Sequence, residues 1–235
     1  MRIIIAVMFL SIMLTGSVFQ SYGQTVEREG NSVMIKTTDI GLMLGMLGGD
    51  VEQKLDAACS DPSLGCSVSD GALVMQDSFT QKEGYYTYEA DYGIPNIDYI
   101  VTVKKIPSDV FTEKLDGILF TAGLTNSTTE GSVEPINLQD AEGNEGSVDF
   151  MRKTGLDISY VVIMPGSITG ATAGGVSGAI DGNRAEFMLS QVLQESKPIV
   201  VKSSEINWGY IIVIAMVIVL LAFAVSFIKS KKKRW

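Results

Sequence analysis

The stretch Ile97-Asp98-Tyr99-Ile100-Val101-Thr102-Val103-Lys104 decides the fold class. Ile97, Tyr99, Val101 and Val103 fall on one side of an extended chain, and Asp98, Thr102 and Lys104 on the other, with Ile100 the exception. Successive side chains of a strand point to opposite faces, so this alternation describes a half-buried strand of an antiparallel sheet. Working outward, runs rich in β-branched and aromatic residues predict strands over 33–37, 72–80, 85–92, 98–105, 157–164, 184–190 and 199–203. Two helices are expected between them. Asp50 with Gln53 makes a capping-box start, after which Val51, Leu55 and Ala58 share one face. Ser108 is placed to cap the second, where Val110, Phe111, Leu115, Ile118 and Leu119 form an apolar stripe that stops before Gly123.

The two ends predict the compartment. Met1-Arg2 leads into the apolar run Ile3-Ile4-Ile5-Ala6-Val7-Met8-Phe9-Leu10-Ser11-Ile12-Met13-Leu14, followed by more polar residues with Ser21 and Gly23 small. That is the layout of a secretory signal peptide over 1–23, cut after Gly23. The run is shorter than the ~20 residues a spanning helix needs, which places an uncleaved anchor second. Leu14-Thr15-Gly16-Ser17 has the shape of a lipobox, but Ser17 stands where the lipidated cysteine would be. At the other end, 208–228 carries no charge and is followed by Lys229, Lys231, Lys232, Lys233 and Arg234. This predicts a transmembrane helix over 208–228 and a basic cytoplasmic tail over 229–235. Both tryptophans, Trp208 and Trp235, flank it, and Tyr210 joins Trp208 at the expected membrane interface. A sortase or GPI signal lacks its motif here, and Lys232 with Lys233 also fits a dibasic retrieval signal.

The chain is therefore expected to be a single-pass type I protein of the cell membrane with one exterior domain over 24–207. The expected fold class is α+β: a mostly antiparallel sheet with about two packed helices in the exterior domain, plus one C-terminal transmembrane helix. Of the 235 residues, all 27 acidic ones and 12 of the 18 basic ones lie in 24–207, a net charge of −15. Such a field repels nucleic acid, so no nucleic-acid partner is expected. The chain has no histidine, which removes the Ser-His-Asp triad, the imidazole base and histidine-ligated zinc or haem. No enzyme activity, cofactor or metal is expected. The acidic cluster Asp140, Glu142, Glu145 and Asp149 fails the calcium-loop test, since counting from Asp140 places Met151 where the ligating glutamate belongs.

Four features remain as candidates. Cys59 and Cys66 flank a short segment with Pro62 and Gly65, and in an oxidising compartment they are expected to form a local disulfide. Asn126-Ser127-Thr128 is the one N-glycosylation acceptor. Gly41, Gly45 and Gly49 recur at four-residue spacing beside Leu42, Met43, Met46 and Leu47, an apolar face that could meet lipid or simply pack on the sheet. A second glycine cluster over 166–182, uncharged until Asp181, brings Ile168 and Val176 into the candidate lipid-contacting set, against the plainer reading of a long hairpin connection.

Val161-Val162-Ile163-Met164-Pro165-Gly166-Ser167-Ile168, then Asp181-Gly182-Asn183-Arg184-Ala185-Glu186-Phe187 and Ile199-Val200-Val201-Lys202-Ser203, resemble the closing part of an LppM-like family of membrane-anchored prokaryotic surface domains. The resemblance implies an α+β exterior domain that binds lipids or glycolipids of the envelope. The expected partners are thus the lipid bilayer, a lipid or glycolipid ligand, and a candidate membrane-protein partner. The alternative expectation is a structural or accessory subunit of a larger membrane complex, and a carboxylate-dependent hydrolase is a third class.

Overall fold

In the computed structural model, which describes residues 20–40, 50–125, 134–154 and 158–232, the alternating stretch forms a strand over Asn96–Val103, with Tyr99, Val101 and Val103 buried and Asp98 exposed. In chain order the elements are β1 (Gln20–Val26), β2 (Ser32–Asp39), α1 (Asp50–Cys59), β3 (Cys66–Ser69), β4 (Ala72–Phe79), β5 (Tyr86–Tyr92), β6 (Asn96–Val103), β7 (Lys105–Ile106) and α2 (Ser108–Thr121). They continue with β8 (Ile136–Asn137), α3 (Ala141–Thr154), β9 (Ser159–Ile163), β10 (Ser167–Ala173), β11 (Val176–Ser177), β12 (Ala179–Asp181), β13 (Arg184–Met188), α4 (Leu189–Glu195), β14 (Ile199–Ile206) and α5 (Trp208–Lys232).

The strands form a seven-stranded sheet in the order β12-β13-β9-β1-β2-β4-β3, a five-stranded sheet in the order β11-β10-β14-β6-β5, and the small pair β7-β8. All pairs are antiparallel except β1 with β9. One hydrophobic core joins them, with Phe111 of α2 set edge-on to Tyr22 of β1 and near Phe79 of β4. The α1 face reads as expected, since Val51, Leu55 and Ala58 are its buried residues. In α2, Phe111, Leu115, Ile118 and Leu119 are buried, but Ser108 does not cap. Its hydroxyl donates to the Glu134 carbonyl at 3.0 Å and accepts from the Ile136 N–H at 3.1 Å, tying the helix start to β8.

The α+β class with a mostly antiparallel sheet holds, and two parts of the expected fold are corrected. Among the described residues the domain carries four α-helices, α1 to α4, rather than about two, because 141–154 and 189–195 are also helical. The transmembrane helix is corrected as well: among the described residues no helix is long and apolar enough to cross a membrane. A span needs ~20 predominantly apolar residues in one helix, and none of the described helices supplies them. The expected domain boundary also falls inside an element. β1 begins at Gln20, and Tyr22, ahead of the expected cut, is buried at the centre of the larger sheet.

Residues 161–168, 181–187 and 199–203 build the crossing between the sheets. Ser203 Oγ donates to the Pro165 carbonyl at 2.7 Å, and the Met164 N–H donates to the Asn183 carbonyl at 2.9 Å. Gly166 sits at φ 72°, and a side chain there would collide with the Ser204 carbonyl. The chain thus leaves β9 in one sheet and enters β10 in the other through a turn that only glycine fits.

Candidate functional site

The sequence candidates separate in space. Leu42, Met43, Met46, Leu47 and Asn126 lie outside the described residues, as do Lys233 and Arg234. Ile168 is buried in the core and Val176 packs half-buried against it. The 166–182 segment, read as a loop, is instead strands β10, β11 and β12 with the turns between them. Cys59 and Cys66 are joined in a disulfide that links the end of α1 to β3. Trp208 and Tyr210 are exposed in the first turn of α5, and Lys229, Lys231 and Lys232 fall in its last part.

The most structured feature at the surface is the point where α5 leaves the domain. Asn207, between β14 and α5, accepts from the Tyr210 N–H on Oδ1 at 3.2 Å, which caps the helix. Its own N–H donates to the Pro95 carbonyl at 2.8 Å, and its Nδ2 donates to the Gly93 carbonyl at 3.3 Å. One side chain therefore pins the tip of the β5–β6 hairpin to the start of α5. The junction is braced from the side: Arg28 pairs with Glu205 at 2.7 Å, and the Tyr99 hydroxyl donates to the same carboxylate at 2.5 Å. Tyr88 stacks on Tyr99 and donates to the Arg28 carbonyl at 2.6 Å. Burial and the Glu205 carboxylate raise the Tyr99 phenol well above its ordinary value, so it is a permanent donor here.

Around this junction several large apolar side chains are exposed. Tyr92 and Ile94 at the hairpin tip are 68% and 62% exposed, Trp208 is 63% exposed, and Ile206 is also exposed. Asn207 is absent from the sequence candidates, although an asparagine directly before a long apolar run is a helix-cap signal that could have found it. The tip has no such signal, because a single tyrosine and isoleucine beside a proline are unremarkable until the fold brings them to α5.

Two other features are polar. A cleft of about 510 Å³ lies between the Pro62–Leu64 turn, the edge of β4 and α2. Lys114 reaches across it to pair with Asp77 at 2.8 Å and to donate to the Gln76 carbonyl at 2.6 Å, while the Ser78 N–H donates to Asp77 at 2.9 Å. These side chains occupy the backbone groups that an added strand would need. On the inner face of the larger sheet, Lys36 is 5% exposed with its ammonium 5.5 Å from the centre of the Tyr22 ring. Burial pushes this ammonium down to about 8. Gln24, Ser32 and Tyr160 form a hydrogen-bonded chain along the same sheet.

No protein-family model, curated protein or solved structure matches the chain.

Proposed function

We propose that α5 seats in bilayer lipid and holds an acidic, non-enzymatic binding domain against the outer face of the cell membrane, where it takes up a lipid, glycolipid or protein partner. The observation that carries this reading is the exposure of α5. Ile212, Val213, Ile214, Met216, Val217, Ile218, Val219, Leu220, Leu221 and Phe223 are all exposed. Consecutive helical residues are ~100° apart, so this run presents apolar surface on every side. Water is a poor solvent for such a surface, and the domain's own core lies elsewhere.

Packing against helices of a larger complex would cover the same residues. Residues 211–224 contain no glycine to let a second helix approach closely and no ionisable group to pair with it, which favours lipid. The test is flotation of the full chain after dilution from detergent into phosphatidylcholine vesicles. Co-migration with the vesicles is expected. A detergent-free monomer left at the bottom of the gradient would overturn the reading. Native mass spectrometry of the floated protein then tests ligand uptake, with a reproducible added lipid mass expected.

A further inference from the structure

We infer that the tip of the β5–β6 hairpin, centred on Tyr92 and Ile94, is a second lipid contact that lies in the headgroup layer beside the start of α5. This rests on the reading of α5 as lipid-seated. Two hydrogen bonds from Asn207 to the carbonyls of Gly93 and Pro95 hold the tip at the level of the first helical residue. Where Trp208 meets the headgroups, the tip therefore meets them too. Both of its large side chains are more than half exposed, and no described residue of the domain covers them. Amphipathic rings with a polar edge are at home at that depth, and Tyr92, Trp208 and Tyr210 supply three of them.

The occupant is a zwitterionic lipid surface rather than an acidic protein or an anionic membrane. Asp91 and Asp98 face each other across the hairpin behind the tip, and both are exposed. No lysine or arginine lies within 89–98. An anionic surface would be repelled there, whereas phosphatidylcholine presents no net charge. With two contacts at one level, the domain has a fixed orientation on the membrane instead of swinging about the start of α5.

The test uses the full chain in phosphatidylcholine vesicles, with an environment-sensitive fluorophore on one introduced cysteine at a time and a lipid-borne quencher. The native cysteines are disulfide-bonded, so the label goes to the introduced thiol. Three variants are compared: Ile94→Cys at the tip, Ile214→Cys in α5, and Ile180→Cys on the exposed edge strand β12. Quenching of at least about twofold is expected at 94 and 214, with none at 180. Quenching at 214 but not at 94 would overturn the hairpin contact and leave the seating of α5 intact. Absence of quenching at both 94 and 214 would overturn both.

Discussion

At Lys36 the larger sheet holds a charge where it can barely be solvated. Its ammonium is moved by burial from its ordinary value near ~10.4 to about 8, and the ring of Tyr22 offsets only part of the desolvation. Below pH 8 the folded and unfolded chains both carry this proton, so the fold bears the full cost of the buried charge. Between pH 8 and the ordinary value only the unfolded chain keeps it, and stability rises with pH by up to about 1.4 kcal/mol per unit. Lys36→Met is therefore expected to stabilise the protein by about 1–3 kcal/mol at pH 7. The advantage should shrink as the pH approaches 10, as read from urea unfolding at both values. An advantage independent of pH would mean that the buried charge is not its source. Gly166 poses the opposite case, a residue with no side chain to contribute. Its positive φ and the Ser204 carbonyl behind it leave no room for a methyl group, so Gly166→Ala is expected to cost about 2–4 kcal/mol in the same measurement. A cost below about 1 kcal/mol would show that the crossing relaxes.

Among the elements, β1 was the hardest to read and has the clearest consequence. Its residues continue a segment with the layout of a signal peptide, and nothing in Gln20-Ser21-Tyr22-Gly23 marks a strand. What makes it one is long-range: Tyr22 sits opposite Lys36 of β2 and beside Tyr160 of β9, with Phe111 packed on its ring. Removal up to Gly23 would strip four pairings with β2 from the sheet and delete a buried aromatic, a loss of about 3–5 kcal/mol for the side chain alone. The protein isolated from its own cells is therefore expected to retain Gln20, which intact-mass measurement or N-terminal sequencing reads directly. A mature chain starting at Gln24 would contradict the strand. By contrast β2, β4, β5, β6 and α1 were legible, because each buries one face and the period of its apolar residues shows which. α3 was not, since Ala141–Thr154 is rich in acids and glycines and is helical through packing on α4. In the glycine-rich 166–182 segment composition pointed to a loop, but pairing of β10 with β14 makes it sheet. The candidate site was half legible: the apolar run after Asn207 is plain in sequence, while its meeting with Tyr92 and Ile94 depends on the register of β5, β6 and β14.

The molecule as a whole sets a strongly acidic domain beside an apolar helix, and the two make opposite demands on a membrane. On the proposed lipid seating the helix gains from any bilayer, while the net charge of −15 over 24–207 is repelled by anionic headgroups at a distance. That repulsion is a screened, long-range effect. At roughly 10 mM salt the screening length is ~30 Å, comparable to a small domain, and at about 150 mM it falls to ~8 Å. Seating of α5 from detergent into vesicles containing phosphatidylglycerol is therefore expected to be several-fold slower than into phosphatidylcholine at low salt, with the gap closing as salt rises. Trp208 fluorescence follows the process, since this residue sits at the first helical position. If the rates agree at low salt, the acidic surface must face away from the approaching bilayer. A gap that persists at high salt would instead locate the discrimination in direct contacts, with Asp91 and Asp98 behind the hairpin tip as the first residues to neutralise by substitution with asparagine.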